Sequence, residues 1–191
     1  MPAAHRFGLI GCGRIGAAVV EAWQQGLAPG WQLQGVLARS PRRIDGVATF
    51  TDATAFLALD VDLIVEVAGP QALAQLGPQA LLRADTWTVS ATALADPAVF
   101  EALWAAGAAG GHRLRVLAGA IAGLDGVAAA SVDPDARLQL SIDLPPVARP
   151  SGVAPEGRQV VFTGSVRQAA ARFPTKVNVA AAAALAGPGL D

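Results

Sequence analysis

Six residues near the start of the chain, Gly11-Cys12-Gly13-Arg14-Ile15-Gly16, leave few folds open. They follow a short apolar run at 7–10 and open a stretch of helical spacing, in which Ile15, Val19, Ala22 and Trp23 form one stripe closed by Gly26 and Pro29. In a strand that turns through three glycines into a helix, each glycine has a separate task. The first takes the tight turn, the second lets main chain approach a pyrophosphate, and the third lets helix and strand pack closely. The N–H groups of the first helical turn then face the phosphates, aided by the helix dipole. Gly11, Gly13, Arg14, Ile15 and Gly16 are therefore expected to hold the diphosphate of a dinucleotide. A glycine-rich turn without a ligand is the alternative, and the strand–turn–helix setting favours the dinucleotide.

The rest of the first 120 or so residues repeats that alternation. Runs at 33–37, 63–67, 87–89 and 114–117 are brief and rich in Val, Leu and Ile, as strands buried on both faces are. Between them lie helical patterns carried by Phe56 and Leu59, by 73–82 and by 99–104. The fold class predicted is α/β, a Rossmann-type doubly wound parallel sheet, because parallel neighbours need a crossover helix. Residues 1–121 are expected to form this NAD(P)-binding domain. From Ala136 onward the texture changes. Residues 137–144 alternate polar and apolar, Pro145, Pro146 and Pro150 interrupt, 159–166 reads as another strand, and 178–186 as a helix stopped by Gly187 and Pro188. Two strands and one helix do not make a self-sufficient core. Residues 122–191 are thus expected to be an incomplete α+β domain for substrate and dimerisation, lacking its C-terminal part.

Composition narrows the partners. The 191 residues carry a net charge of −1, with 53% hydrophobic and 15% charged side chains, which excludes disorder and leaves no basic footprint for nucleic acid. The longest apolar run, in the alanine-rich segment after Asn178, falls short of the roughly 20 residues of a membrane span. No signal-peptide pattern precedes residue 7, and Cys12, the single cysteine, has no internal partner; a cytoplasmic location is expected. Apolar surface left bare by an incomplete domain predicts a homo-oligomer, most simply a dimer.

Ligands of open α/β sheets lie outside the carboxyl ends of the strands. An acid about 20 residues past the glycines would meet the ribose 2′-hydroxyl of NAD, but that tip reads Leu37-Ala38-Arg39-Ser40, followed by Arg42 and Arg43. Arg39 suits a 2′-phosphate, so the cofactor expected is NADP, or NADP and NAD alike, a solvated loop arginine being the alternative. The other tips supply small residues with room for a nicotinamide: Ala68, Gly69 and Pro70; Ser90, Ala91 and Thr92; Gly119, Ala120 and Ile121. Glu66 either faces the cofactor or is a buried structural carboxylate. His5 and His112 precede strands and so fall at the amino edge, out of reach of acid–base work there. Asp133 and Asp135 read as turn formers, and no metal-ligand cluster is present.

Four segments in order make a more specific pattern. Ile10-Gly-Cys-Gly-Arg-Ile-Gly16, Asp62-Leu-Ile-Val-Glu-Val-Ala68, Gly119-Ala-Ile-Ala-Gly-Leu-Asp125 and Phe173-Pro-Thr-Lys-Val-Asn-Val-Ala-Ala181 resemble the motifs of the L-aspartate dehydrogenase family. The resemblance spans essentially the whole chain. It implies NAD(P)-dependent oxidative deamination of L-aspartate to iminoaspartate, then oxaloacetate and ammonia, or the reverse. It implies that Ala120 and Asn178 contact the cofactor near its reactive ring; the amide of Asn178 suits a carboxamide, and an N-cap of the following helix is its other reading. Gly119–Gly123 leads into a helix whose N–H groups suit a substrate carboxylate, or is a packing turn. The chain departs from the family pattern in four places. The family's catalytic histidine lies beyond Asp191, so no catalytic residue is assigned and turnover is expected to be impaired. Leu117-Ala118 stands for Pro-Ser, Asp143-Leu144 for a basic pair, and Lys176 for the first asparagine of Asn-Val-Asn. Two further readings follow: a cofactor-binding protein without turnover, and another two-domain amino-acid or semialdehyde dehydrogenase.

Overall fold

A computed structural model describes residues 4–143 and 159–191. β1 (His5–Ile10), β2 (Trp31–Leu37), β3 (Thr49–Phe50), β4 (Leu63–Glu66), β5 (Asp85–Thr88) and β6 (Leu114–Val116) form one sheet in the order β3-β2-β1-β4-β5-β6. Every pairing is parallel. This order reverses direction between β1 and β4, which places the topological switch, and the crevice it creates, beside the three glycines. α1 (Arg14–Gln24), α2 (Ala53–Leu57), α3 (Pro70–Leu81) and α4 (Pro97–Gly110) make the crossovers, with a 3₁₀ helix at Ala91–Ala95.

Alternation along the strands builds a core on each face of the sheet. Leu9, Val36 and Leu63 pack with Val20 and Trp23 of α1, while Ile10, Leu37 and Ile64 pack with Phe56, Leu57 and Ala80 of α2 and α3. Side-chain oxygens start α2 and α4: Asp52 accepts from Thr54 N–H and Asp96 from Ala98 N–H, both at 2.9 Å. α4 ends on Gly111 in the left-handed conformation.

Val19 and Trp23 of the expected stripe on α1 pack against the sheet, but Ile15 does not. The buried residues of α1 are Gly16 and Val20, and Ile15 is 51% exposed. The cause is Gly16, which must face the sheet for the glycine turn to close.

The second half departs further. Among the described residues, 122–191 contains α5 (Leu124–Ala130), α6 (Val166–Arg172) and α7 (Asn178–Ala186) and no strand. The expected strand at 137–144 is irregular through Asp143, with Leu144, Pro145, Pro146 and Pro150 outside the described residues. The expected strand at 159–166 is irregular up to Ser165, and Val166 begins α6. Alternation alone does not make a strand without a neighbour to pair with. Here a capping box wins: Ser165 Oγ accepts from Gln168 N–H, and the Gln168 side chain accepts from Ser165 N–H. The antiparallel sheet of the expected α+β arrangement is therefore absent from the described residues. α7 instead docks on the first half, with Ala181 and Ala182 against Ala91, and Ala180 against Ala95.

Candidate functional site

The glycine turn is assembled as its spacing requires. Gly11 has φ +107°, and a Cβ there would lie 2.8 Å from the main chain of Ala68 on the neighbouring β4 turn. A Cβ on Gly16 would meet Gly11 O at 2.1 Å, so the helix sits against the turn with no room for a methyl group. Gly13 differs from both: nothing lies within 4 Å of the place its Cβ would take. The open space fronts the N-terminus of α1, where Gly13 is the N-cap, no side chain caps the helix and the first turn holds no acid. Those N–H groups face a cleft of about 800 Å³.

The cleft runs across the switch point. Gly11 and Gly13 form its floor, Arg39, Ser40 and Arg42 one side beyond β2, Ala68, Gly69 and Gln71 the other beyond β4, and Thr175 from the α6–α7 connection also lines it. Among the described residues its charged side chains are the two arginines, and no acid lines it. An uncapped helix N-terminus, a glycine with open space above it and two cations fit a dinucleotide diphosphate and a further phosphate. Arg14 and Ile15, both exposed, follow directly in the first turn of α1.

Glu66 is a structural carboxylate. It is 1% exposed; Oε1 accepts from Ala68 N–H at 2.7 Å and Gly69 N–H at 2.8 Å, and Oε2 accepts from Thr88 Oγ1 at 2.5 Å. Thr88 Oγ1 in turn accepts from Ser90 N–H at 2.9 Å, tying the β4 and β5 tips together. Ser90 Oγ is buried without a hydrogen-bond partner among the described residues.

Three expected contacts stand elsewhere. Ala91 is 1% exposed and covered by α7, so it is packing rather than a wall of the cleft. Ala120 is exposed in the turn after β6, outside the lining of the cleft. Asn178 is not an N-cap, since α7 is preceded by Val177 in that role. Its Oδ1 accepts from Thr92 N–H at 3.0 Å and Thr92 Oγ1 at 2.5 Å, across 86 positions of sequence. That leaves Nδ2 as the donor end of the amide.

Both histidines lie at the amino edge. His5 begins β1 against the Trp31 ring, and His112 stands 3.7 Å from Asp85 at the start of β5. Among the described residues there is no cluster of three metal-ligating side chains, and no helix is long and apolar enough to cross a membrane. Ser40 lines the cleft at the β2 tip beside Arg39, while Thr175 and Gln71 line it without a signal in the sequence. Arg42, which a run of charges makes look merely solvated, joins Arg39 there.

Known proteins share this arrangement. Residues 11–117 match the family described as the homoserine dehydrogenase NAD-binding domain, and 116–191 the one described as the aspartate dehydrogenase C-terminal region. L-aspartate dehydrogenase 1 of Bordetella pertussis is 41% identical over 192 residues, covering 97% of this chain and 73% of that protein. The L-aspartate dehydrogenase of Methanothermobacter thermautotrophicus is 33% identical, over 94% of this chain and 71% of the relative. The crystal structure of aspartate dehydrogenase from Thermotoga maritima superposes with a TM-score of 0.72 at 26% identity, covering 97% of this chain and 74% of that one. An engineered D-amino acid dehydrogenase bound to NADP+ shares the fold at TM-score 0.51 and 19% identity, over 64% of this chain and 39% of its own. With the glycine turn, the strand order and both halves of the sequence in agreement, the chain belongs to the L-aspartate dehydrogenase family.

Proposed function

We propose that the chain binds NADP or NAD in the switch-point cleft and acts on L-aspartate by oxidative deamination or its reverse. The observation that carries this reading is the bare N-terminus of α1, open above Gly13 and flanked by cations. The main chain of Gly11, Gly13, Arg14, Ile15 and Gly16 holds the diphosphate, and Arg39 with Arg42 takes the 2′-phosphate. Ala68 shapes the β4 side of the cleft, with Ala120 beyond the β6 tip nearer the reactive ring. Asn178 directs its Nδ2 donor to the carboxamide, held in place by the bonds from Thr92 to its Oδ1. The bound nicotinamide supplies a hydride acceptor for the amine-bearing carbon. In this reading 1–121 serves the cofactor, and 122–191 serves the substrate and self-association. The chain works as a cytoplasmic homodimer, away from nucleic acid and membrane, in a compartment that keeps the thiol of Cys12 reduced.

NADPH is expected to raise the melting temperature, and Gly13→Val to abolish the rise without lowering the melting point of the free chain, since the space above Gly13 is open. An unchanged melting curve at millimolar NADPH would sink the cofactor assignment. Among a panel of amino acids, L-aspartate is expected to give the largest reduction of NADP+; a different amino acid or a semialdehyde reacting faster would overturn the substrate. A cofactor-binding role without turnover is the second reading, favoured by the placement of both histidines at the amino edge. Stabilisation by NADPH with no aspartate-dependent reduction would select it. Sedimentation that finds only monomers would remove the dimer.

A further inference from the structure

Lys176 is the only lysine in the chain. It lies in the connection between α6 and α7, where its main-chain N–H donates to Phe173 O at 3.0 Å. Its neighbours fix where it stands. Thr175, one residue earlier, lines the cleft, and Asn178, two residues later, is bonded to Thr92 beyond the β5 tip. Consecutive Cα atoms are about 3.8 Å apart, so the lysine stands within one step of the cleft wall. Arg39 and Arg42 lie beyond β2, and β2 and β4 flank β1 on opposite sides. Lys176 thus stands between the cleft wall at Thr175 and the bond of Asn178 to Thr92 beyond the β5 tip. Its side chain is exposed, and its ammonium has no hydrogen-bond or ion-pair partner among the described residues.

We propose that Lys176 binds a carboxylate of the acidic amino-acid substrate. The inference rests on the reading that the cleft holds NAD(P) and that the amino acid lies at the β4–β5 end of it. A lysine ammonium is a compact charge with three donors on a flexible stem, suited to an anion that enters and leaves at each cycle. Here it is close to the cleft and engaged by no acid among the described residues. L-aspartate brings two carboxylates, while the amides at the N-terminus of α1 are committed to the diphosphate.

The test uses the whole 191-residue chain and succinate, a dicarboxylate without an amine to oxidise. NADP+ is titrated first, by calorimetry, and succinate is then titrated into the NADP+ complex. Lys176→Gln is expected to weaken succinate about tenfold, the effect of a lost charge-assisted hydrogen bond, with NADP+ affinity unchanged. Lys176→Arg should recover most of the loss, and added salt should weaken succinate in the wild type but not in Lys176→Gln. Equal succinate affinity in all three proteins overturns the inference, as does a wild-type complex that takes up no succinate. A parallel fall in NADP+ affinity also overturns it, placing the lysine on the diphosphate. Failure of the wild type to bind NADP+ in the first titration refutes the cofactor reading itself, and the inference with it.

Discussion

Two neighbouring strand tips of one sheet treat their backbone amides in opposite ways. After β4, Glu66 turns its carboxylate back onto Ala68 N–H and Gly69 N–H, so the approach to α3 is satisfied from within. After β1, no carboxylate or hydroxyl among the described residues caps α1, and the space in front of it is open at Gly13. Both turns face the same crevice and carry the same helix-terminal field. Among the described residues neither α1 nor α3 has a side-chain cap on its first turn; the difference is that Glu66 satisfies the two N–H groups that lead into α3. The β1 turn has no such carboxylate behind it among those residues, and its glycines leave room for an outside phosphate.

Swapping these treatments should separate stability from binding. The largest effect is expected from Glu66→Ala, which leaves two N–H groups and the Thr88 hydroxyl without their buried acceptor. About 3–5 kcal/mol of stability should be lost, read from urea unfolding; a loss under about 1 kcal/mol would mean that water replaces the carboxylate. Gly13→Asp adds to the β1 turn what Glu66 provides at the β4 turn. NADPH affinity should fall at least about 100-fold through repulsion and occupied space, while the melting point of the free chain holds or rises, because Asp is a good N-cap. Retained NADPH binding would show that the diphosphate lies elsewhere.

Arg39→Ser tests the charge beyond β2. Affinity for NADPH should drop about tenfold with NADH unaffected, in fluorescence titrations of each; an equal drop for both would place the arginine on the shared part of the cofactor. The smallest effect belongs to exposed carboxylates, which contrast with buried Glu66. Asp62 is held below the ordinary carboxylate range chiefly by the hydrogen bond from Arg6 N–H, and Asp191 by hydrogen bonds from the Arg167 side chain. Both values are depressed by folding. Their contribution is therefore complete above the ordinary value of about 4 and is lost as pH falls through the lower folded values. Asp62→Asn and Asp191→Asn should each make the melting temperature slightly less sensitive to acid below about pH 4; an unchanged slope would show that the pairs are too well solvated to matter.

What could be read before folding and what could not divides along the range of the interactions. Five strands stood out because parallel strands buried on both faces are short apolar runs. β3, two residues long, has no room for a pattern, and β5 begins earlier than its apolar letters because Thr86 and Thr88 are buried too. Gly11, Gly13 and Gly16 are legible from their spacing alone, but only the contact of Gly16 with Gly11 is local; the close neighbour of Gly11 is Ala68, and Gly13 has open space. The Asn178–Thr92 bond is not legible, because it spans the chain and depends on how α7 docks. The packing of Ala91 under α7 is hidden for the same reason: a small residue at a strand tip looks the same whether a ligand or a helix covers it. α6 was readable in part, as Ser165 and Gln168 stand at capping-box spacing, but the apolar Val160-Val161-Phe162 before them suggested extension instead.

The docking of α7 carries one more consequence. From Ala180 to Ala184 every residue of the helix is buried, and alanine has no rotamers to freeze. The seam forms without side-chain entropy loss, but it also has no flexible atoms that can give way. An added methylene has to be absorbed by moving a backbone rather than by turning a side chain. The helix thus acts as a gauge block, setting the height at which Asn178 meets Thr92, and a change of one carbon on its far side can be felt at that bond.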